Sequence, residues 1–352
     1  MDFVCYSDWA ELPASANSLF EQASRESIFF SRPWFENLSN TVLGENRAML
    51  LACVVENDQV LAIIPLVKNP DGQLAPLIHL YSSLYTALLA EDIQDKAIQC
   101  LVKGLSQLPT DTFQFSPVAE NDTNLQKLQP FMQASGFECH QNFRFYNWTH
   151  YVNGQSFQDY MSERPARIRN TIGRKQRKLQ REHGYEIRLY IDQNIDQALQ
   201  DFRLVYQSSW KAKELYDAFI KGLTHTLARQ GWLRLAILYI DNKPAAAQFW
   251  FVVHKNASIF KLAYNETWKQ YSPGSILIHY LMEYVIEVDK VKEIDFLTGN
   301  DKYKQDWMTE RRQRIAVFCG KPKQRQGRTG GRTGSKTGIK IEKLFGFLRN
   351  RF

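Results

Sequence analysis

The chain has 352 residues, of which 44% are hydrophobic and 23% charged, an ordinary globular composition over a length that predicts two domains. No apolar run approaches the roughly 18 residues needed to cross a bilayer, and Met1-Asp2-Phe3-Val4-Cys5 lacks a basic segment leading into an apolar one, so a cytoplasmic protein is expected. The net charge of +7 is uneven: residues 321–352 hold ten Lys or Arg against one acidic residue, a local +9 that leaves about −2 for residues 1–320.

The first half mixes helices and strands. Phe30-Ser31-Arg32-Pro33-Trp34 begins a helix with Ser31 as its cap, and Ala48–Val55 and Val60–Val67 read as strands paired across Glu56-Asn57-Asp58-Gln59. Leu77–Leu89 adds a further strand, Ile93–Leu108 is helical, Thr112–Pro117 is a short strand, and Leu125–Ala134 is a helix. Phe137–Tyr151, rich in aromatics, suits a bridging strand. A basic helix follows from Arg164 to Glu182, with eight basic residues and one acidic one, either a solvated face or a cradle for an anionic acceptor or nucleic acid. Then come a strand (Tyr185–Ile191), helices over Ile195–Lys213 and Asp217–Gln230, and strands over Leu233–Ile240, Ala245–His254 and Ser258–Tyr264. A helix beginning at Ser272 runs to Val288. Glu293–Leu297 is a strand, Tyr303–Trp307 a short helix, and Arg314–Phe318 the last strand.

Within this order, Phe260-Lys261-Leu262-Ala263-Tyr264 followed by Ser272-Pro273-Gly274-Ser275 is the most informative stretch. Ser272 suits the N-cap, Pro273 the first helical position, and Gly274 admits a ligand close to the backbone. Free N–H groups of Gly274, Ser275 and Ile276 at a helix N-terminus favour a pyrophosphate; the alternative is a capped helix without a ligand.

The tail is organised differently. A polybasic, Gly- and Thr-rich stretch runs to Lys336, and Ile341, Leu344, Phe345, Leu348 and Phe352 then fall at helical spacing. The segment 321–352 is read as a disordered linker and a short amphipathic helix, either in peripheral contact with an anionic membrane at the inner face or docked on the body. Gly330-Gly331-Arg332-Thr333-Gly334-Ser335-Lys336-Thr337 imitates a nucleotide-binding P-loop, but Ser335 separates the glycine from the lysine and no strand precedes it.

The succession of strand, two helices, three strands, helix, strand, helix and strand resembles the core of the GNAT acyltransferases. Five motifs sharpen this: Arg164-Pro165-Ala166-Arg167, Ala246-Ala247-Gln248-Phe249-Trp250, Lys261-Leu262-Ala263-Tyr264, Ser272-Pro273-Gly274, and Asp295-Phe296-Leu297-x-Gly299-x-x-x-Tyr303-Lys304-x-x-Trp307. They look like the CelD-like, or cellulose-biosynthesis-type, branch, which is related to the FemABX transferases that pair two GNAT-like domains. The resemblance implies an α+β fold of tandem GNAT-like domains, each a mixed central sheet flanked by helices. Residues 1–152 would form a degenerate first domain and 153–320 the acyltransferase domain. Asn265 and Asn300 depart from the pattern by standing where many relatives carry acidic residues.

Acyl-CoA, such as acetyl-CoA, is then the implied co-substrate, held by Leu262, Tyr264, Ser272, Gly274, Ser275 and Ile276. No metal is implied. Five scattered cysteines, odd in number and without CxxC spacing, argue against a disulfide framework or a zinc site and read as small buried side chains. Acyl transfer from a thioester to an amine needs a deprotonated amine, a polarised carbonyl and a protonated leaving thiolate, with no covalent nucleophile. Tyr303 corresponds to the general acid of many relatives, or else packs beside Trp307. Asp295, in an apolar strand, is a base or a buried partner of Lys304. Gln248 orients the acceptor or is a satisfied core amide. Lys261, Lys304 and Arg167 are candidate contacts to the acceptor. The leading expectation is an N-acyltransferase acting on an amino sugar or another small-molecule or lipid-linked amine in cell-envelope or exopolysaccharide synthesis. An aminoacyl-tRNA-dependent Fem-like transferase and a non-catalytic binding module are the alternatives.

Overall fold

The computed structural model describes residues 1–44 and 46–322. Everything expected of the tail from residue 323 onward, the membrane-facing helix included, lies outside the described residues.

In chain order the elements are β1 (Asp2–Tyr6), α1 (Ala16–Ser24), α2 (Arg32–Val42), β2 (Ala48–Glu56), β3 (Gln59–Lys68), β4 (Leu74–Pro76), β5 (Leu88–Leu89), α3 (Asp95–Leu105), β6 (Thr112–Ala119), α4 (Thr123–Ala134) and β7 (Glu138–Tyr151). The second half continues with α5 (Phe157–Ser162), α6 (Ala166–Glu182), β8 (Glu186–Tyr190), α7 (Ile195–Gln207), α8 (Asp217–Arg229), β9 (Leu233–Ile240), β10 (Lys243–Val253) and β11 (Asn256–Tyr264). It closes with α9 (Pro273–Glu287), β12 (Glu293–Thr298), α10 (Lys304–Trp307) and β13 (Glu310–Gly320). Ser31 caps α2 by accepting the Trp34 N–H at 3.3 Å, and Asp122 caps α4 through the Leu125 N–H at 2.8 Å.

Two of the expected elements are corrected. Of Leu77–Leu89 only Leu88–Leu89 is a strand; Tyr85 is buried there and donates its hydroxyl to the Pro65 carbonyl at 2.6 Å. Helix α7 stops at Gln207, short of the expected Lys213, because the Ser208 and Ser209 hydroxyls turn back onto the Val205 and Tyr206 carbonyls. That early end frees residues 208–216 as a loop over the candidate site.

The strands form two sheets. β1–β5 make a small antiparallel sheet, and the larger one has the order β6-β13-β7-β12-β11-β10-β9-β8. Strands β6 and β7, from before residue 152, therefore sit in the same sheet as β8–β13. The cysteine reading is overturned here: Cys139 and Cys319 face each other across β7 and β13 and form a disulfide, and Cys5 is exposed. The two residues lie 180 apart in sequence, so spacing could not pair them.

One apolar core joins the halves. Phe29 meets Phe251, and Trp34 meets both Phe219 and Phe260. Gly222 of α8 brings α8 and α2 into close contact, since a Cβ there would lie 2.2 Å from the Asn37 Oδ1. The Asn37 amide in turn donates to the Phe219 carbonyl at 3.2 Å. A second core lies on the opposite face of the large sheet, under α6 and α9.

Candidate active site

β11 and β12 run parallel but stay together only from Asn256 opposite Glu293 to Ser258 opposite Asp295. Beyond that point they separate, and the cause lies in the pairing with β10: Phe249 faces Lys261 while Trp250 faces Ile259, so Phe260 is an extra residue. Such a bulge bends the strand and increases its twist. From Ile259 to Tyr264, the edge of β11 toward β12 lacks a strand partner among the described residues. The result is a V-shaped opening through the sheet.

At the wide end of the V, a 3-10 turn (Glu266–Tyr271) leads into α9. Ser272 sits at the N-cap position but not as expected: its φ is +53°, and its side chain makes no capping hydrogen bond. Pro273 disfavours the right-handed helical conformation at the preceding residue, and here Ser272 takes the left-handed one, which is uncommon for a residue other than glycine. The expected row of three free amides is also reduced. Ser275 and Ile276 both donate to the Ser272 carbonyl, at 3.0 and 3.2 Å, which leaves Gly274 N–H as the amide without an acceptor among the described residues. Ile276 is fully buried. Gly274 has a further duty, because a Cβ there would lie 3.2 Å from Cδ1 of Tyr264, whose ring packs on the helix end. Leu262 and Tyr264 face the α9 side of the sheet, and Trp210 of the 208–216 loop covers Tyr264 at 4.6 Å between ring centroids.

Gln248 lies on the α9 side as well and is wholly buried. Its Nε2 donates to the Gly274 carbonyl at 2.9 Å and its Oε1 accepts the Trp250 indole N–H at 2.8 Å. The geometry ties β10 to the start of α9 and does not turn Gln248 toward the opposite face.

Across the V, Asp295 accepts from Asn147 Nδ2 and from the Leu297 N–H, both at 2.5 Å, with Arg312 Nη2 at 3.3 Å. It thereby holds the irregular end of β12, where Leu297 takes a φ of +52°. Lys304 is not its partner. The Lys304 amine is buried and donates to the Phe296 and Thr298 carbonyls at 3.0 and 2.6 Å, and burial lowers its pKa to about 8. Gly299, with φ +116°, makes room for it, since a Cβ there would lie 3.3 Å from the lysine nitrogen. This brace presents Tyr303, whose ring meets Phe296 rather than Trp307, edge-on at 5.7 Å. Tyr303 keeps 38% of its surface exposed, but the protein around its hydroxyl first and the Asp301 charge second raise it above the ordinary tyrosine range, so it is protonated at neutral pH.

The structure does not bring the other expected acceptor contacts to the V as free groups. Lys261 points to the opposite face and pairs with Glu214 at 2.7 Å, and Tyr81 donates to the same carboxylate. Arg167 makes a surface ion pair with Asp306 at 2.7 Å. Asn265 and Asn300 act as neutral acceptors, from the Thr267 N–H at 3.0 Å and the Trp148 indole at 2.9 Å, so neither position needs a charge for its contact.

Several polar residues of this region were missed in the sequence. Arg312 bridges Glu293 (2.5 Å) and Asp295, and Arg314 donates to Asn147 Oδ1 at 2.9 Å. Period-two spacing was the available signal: Glu293 and Asp295 share one face of β12, and Arg312 and Arg314 one face of β13. Among the described residues, no group of three or more His, Cys, Asp or Glu could hold a metal ion, and no helix is long and apolar enough to cross a membrane.

Residues 166–305 match the family model described as an acetyltransferase (GNAT) domain, and no curated protein sequence matches the chain. Among solved structures, FemX is similar at 10% identity over 86% of this chain and 95% of its own, with a TM-score of 0.59. A tandem GNAT protein from the clavulanic acid biosynthesis pathway is similar at 12% identity, over 90% and 97%, with a TM-score of 0.52. L-PGS from Bacillus licheniformis is similar at 12% identity, over 87% and 92%, with a TM-score of 0.51. At these identities the likeness shows the fold alone: a tandem GNAT-like architecture, of which residues 166–305 match the GNAT domain model.

Proposed function

We propose that the protein is an acyl-CoA-dependent N-acyltransferase whose cofactor lies in the V between β11 and β12. The observation that carries this reading is the bulge at Phe260, which leaves an unpaired strand edge leading to the open Gly274 amide. The edge suits the amides of a pantetheine arm, and a helix N-terminus suits a pyrophosphate. Tyr303, protonated at neutral pH, would donate to the departing thiolate. The acceptor is an amine, small or lipid-linked, and an amino sugar of envelope or exopolysaccharide synthesis fits the CelD-like motifs. A cytoplasmic location with peripheral membrane contact through the tail belongs to the same proposal.

Calorimetric titration with acetyl-CoA and with CoA tests it. Saturable binding that Gly274→Val weakens at least tenfold is the expected result; no binding by the folded wild type refutes the reading. Tyr303→Phe is expected to keep CoA affinity and lose acyl transfer.

One observation favours a second donor. On α6, Arg174, Arg177 and Arg181 are exposed at helical spacing, a cationic ridge that fits a nucleic-acid backbone. Tight binding of aminoacyl-tRNA with none of CoA would select the Fem-like reading.

A further inference from the structure

On the sheet face opposite α9, where the two halves of the chain meet, lies a cavity of about 390 Å³. Its first-half wall includes Glu26 and Ser83, and its sheet wall includes Ser258, Asp295, Leu297 and Arg314. Ser258 and Asp295 are the last paired residues of β11 and β12, so the cavity adjoins the apex of the V from the side away from α9.

The charges around it divide into satisfied and unsatisfied groups. Arg312 is matched by Glu293 and Asp295, and Asp122 is held by the Thr86 hydroxyl and the Leu125 N–H. Arg314 is different. It is only 5% exposed, its one hydrogen bond goes to the neutral Asn147 Oδ1, and no carboxylate of the described residues lies within 4 Å of it. A buried guanidinium with donors left over costs stability unless something accepts from them. At the opposite wall, the Glu26 carboxylate has neither an ion pair nor a hydrogen bond among the described residues. The residue is exposed at the rim, yet the surrounding protein first and Asp122 second push its carboxyl up to about 7, against the opposing pull of the Arg314 charge. Arg314 and Glu26 thus face the same cavity with no hydrogen bond or ion pair between them, and Arg25, exposed at the rim, adds a further cation to the lining.

We propose that this cavity binds a small zwitterion of the α-amino-acid type, its carboxylate on Arg314 and its ammonium toward Glu26. That the ammonium is the acyl acceptor rests on the acyltransferase reading above. A planar guanidinium accepts a carboxylate as a two-pronged partner. The lining sets three cations, Arg25, Arg312 and Arg314, against three carboxylates, Glu26, Glu293 and Asp295, a balance that suits a net-neutral zwitterion better than a phosphate dianion. The volume falls at the lower end of the roughly 300–1,000 Å³ of small-molecule sites, which suits a free amino acid or the end of a short peptide. Glu26 would hold the amine while it is charged and take its proton when it reacts, which its raised pKa allows near neutral pH.

The test uses full-length protein titrated calorimetrically, with and without CoA. The probes are glycine, alanine, lysine, glutamate and phenylalanine, each beside its methyl ester, its decarboxylated amine and its N-acetyl derivative. At least one free amino acid is expected to bind tenfold or more tightly than its ester and its amine. Arg314→Met should erase that preference, with Arg314→Lys intermediate. Glu26→Gln, a change at the exposed rim that leaves folding intact, should weaken the amino acid and its ester about tenfold and leave the N-acetyl compound unchanged. Absence of a carboxylate preference, its survival in Arg314→Met, or an N-acetyl compound as sensitive to Glu26→Gln as the free acid overturns the proposal. If the amino acids show the preference and CoA does not bind, the donor reading fails while this assignment stands.

Discussion

Replacing Gln248 by leucine separates two accounts of the site. The change nearly conserves volume, but it leaves the wholly buried Trp250 indole N–H without its acceptor and the Gly274 carbonyl without its side-chain donor. A buried donor left unsatisfied costs about 1–3 kcal/mol, and the lost hydrogen bond to Gly274 about 0.5–1.5 kcal/mol more. The variant should therefore lose roughly 2–4 kcal/mol and melt about 3–5 °C lower. Because the same bond fixes the first turn of α9, the turn that carries the open Gly274 amide, CoA affinity should fall about tenfold, equivalent to about 1.4 kcal/mol. Thermal unfolding without ligand and calorimetry with CoA, well below the new Tm, measure both effects. Unchanged CoA affinity together with a raised KM for the acceptor would refute this reasoning and restore Gln248 as a residue that orients the acceptor.

Arg234 is held by Asp289 through two hydrogen bonds of 2.9 and 2.6 Å, with both side chains about nine-tenths buried. Arg234→Met should cost about 3–5 kcal/mol in denaturant unfolding, and the double variant with Asp289→Leu should recover most of it. Removing the Cys139–Cys319 disulfide by a double alanine substitution should cost about 2–5 kcal/mol, and reductant should lower the Tm of the wild type but not of the variant. His150 is 4% exposed, burial first lowers its pKa to about 4, and its Nε2 has no hydrogen-bond partner among the described residues. The unfolded chain binds this proton near pH 6.5, so stability is full above that and declines as pH falls from about 6.5 to 4, by up to about 3 kcal/mol. His150→Gln should flatten that part of the stability profile measured by urea unfolding.

What could be read from the sequence was local. Ser31 before Arg32-Pro33, the apolar runs of β2 and β3 across Glu56-Asn57-Asp58-Gln59, and the Pro273-Gly274 start of α9 each act within a few residues, and all appear where expected. The order of elements followed from them, and so did the place of the V. Its detailed chemistry did not follow, because the side chains there are assigned by partners remote in sequence. Asp295 and Gln248 looked alike, each a polar residue in an apolar strand. One turns out to tie the end of β12 to Asn147 and Arg312, and the other fastens the start of α9. Lys261 and Lys304 were equally ambiguous until Glu214 and the carbonyls of Phe296 and Thr298 claimed them. Ser272 shows the limit within a local motif: a good capping residue takes a left-handed conformation, from which its side chain makes no capping bond. Arg314 and Glu26 carried no local signal of shared purpose. They face one cavity only because β6 and β7 cross into the sheet of the second half, beside β13 and β12, and bring the first-half wall against it. A charge left unpaired by its own fold is visible only after every neighbour has been assigned, which makes it the strongest kind of site evidence a structure adds to a sequence.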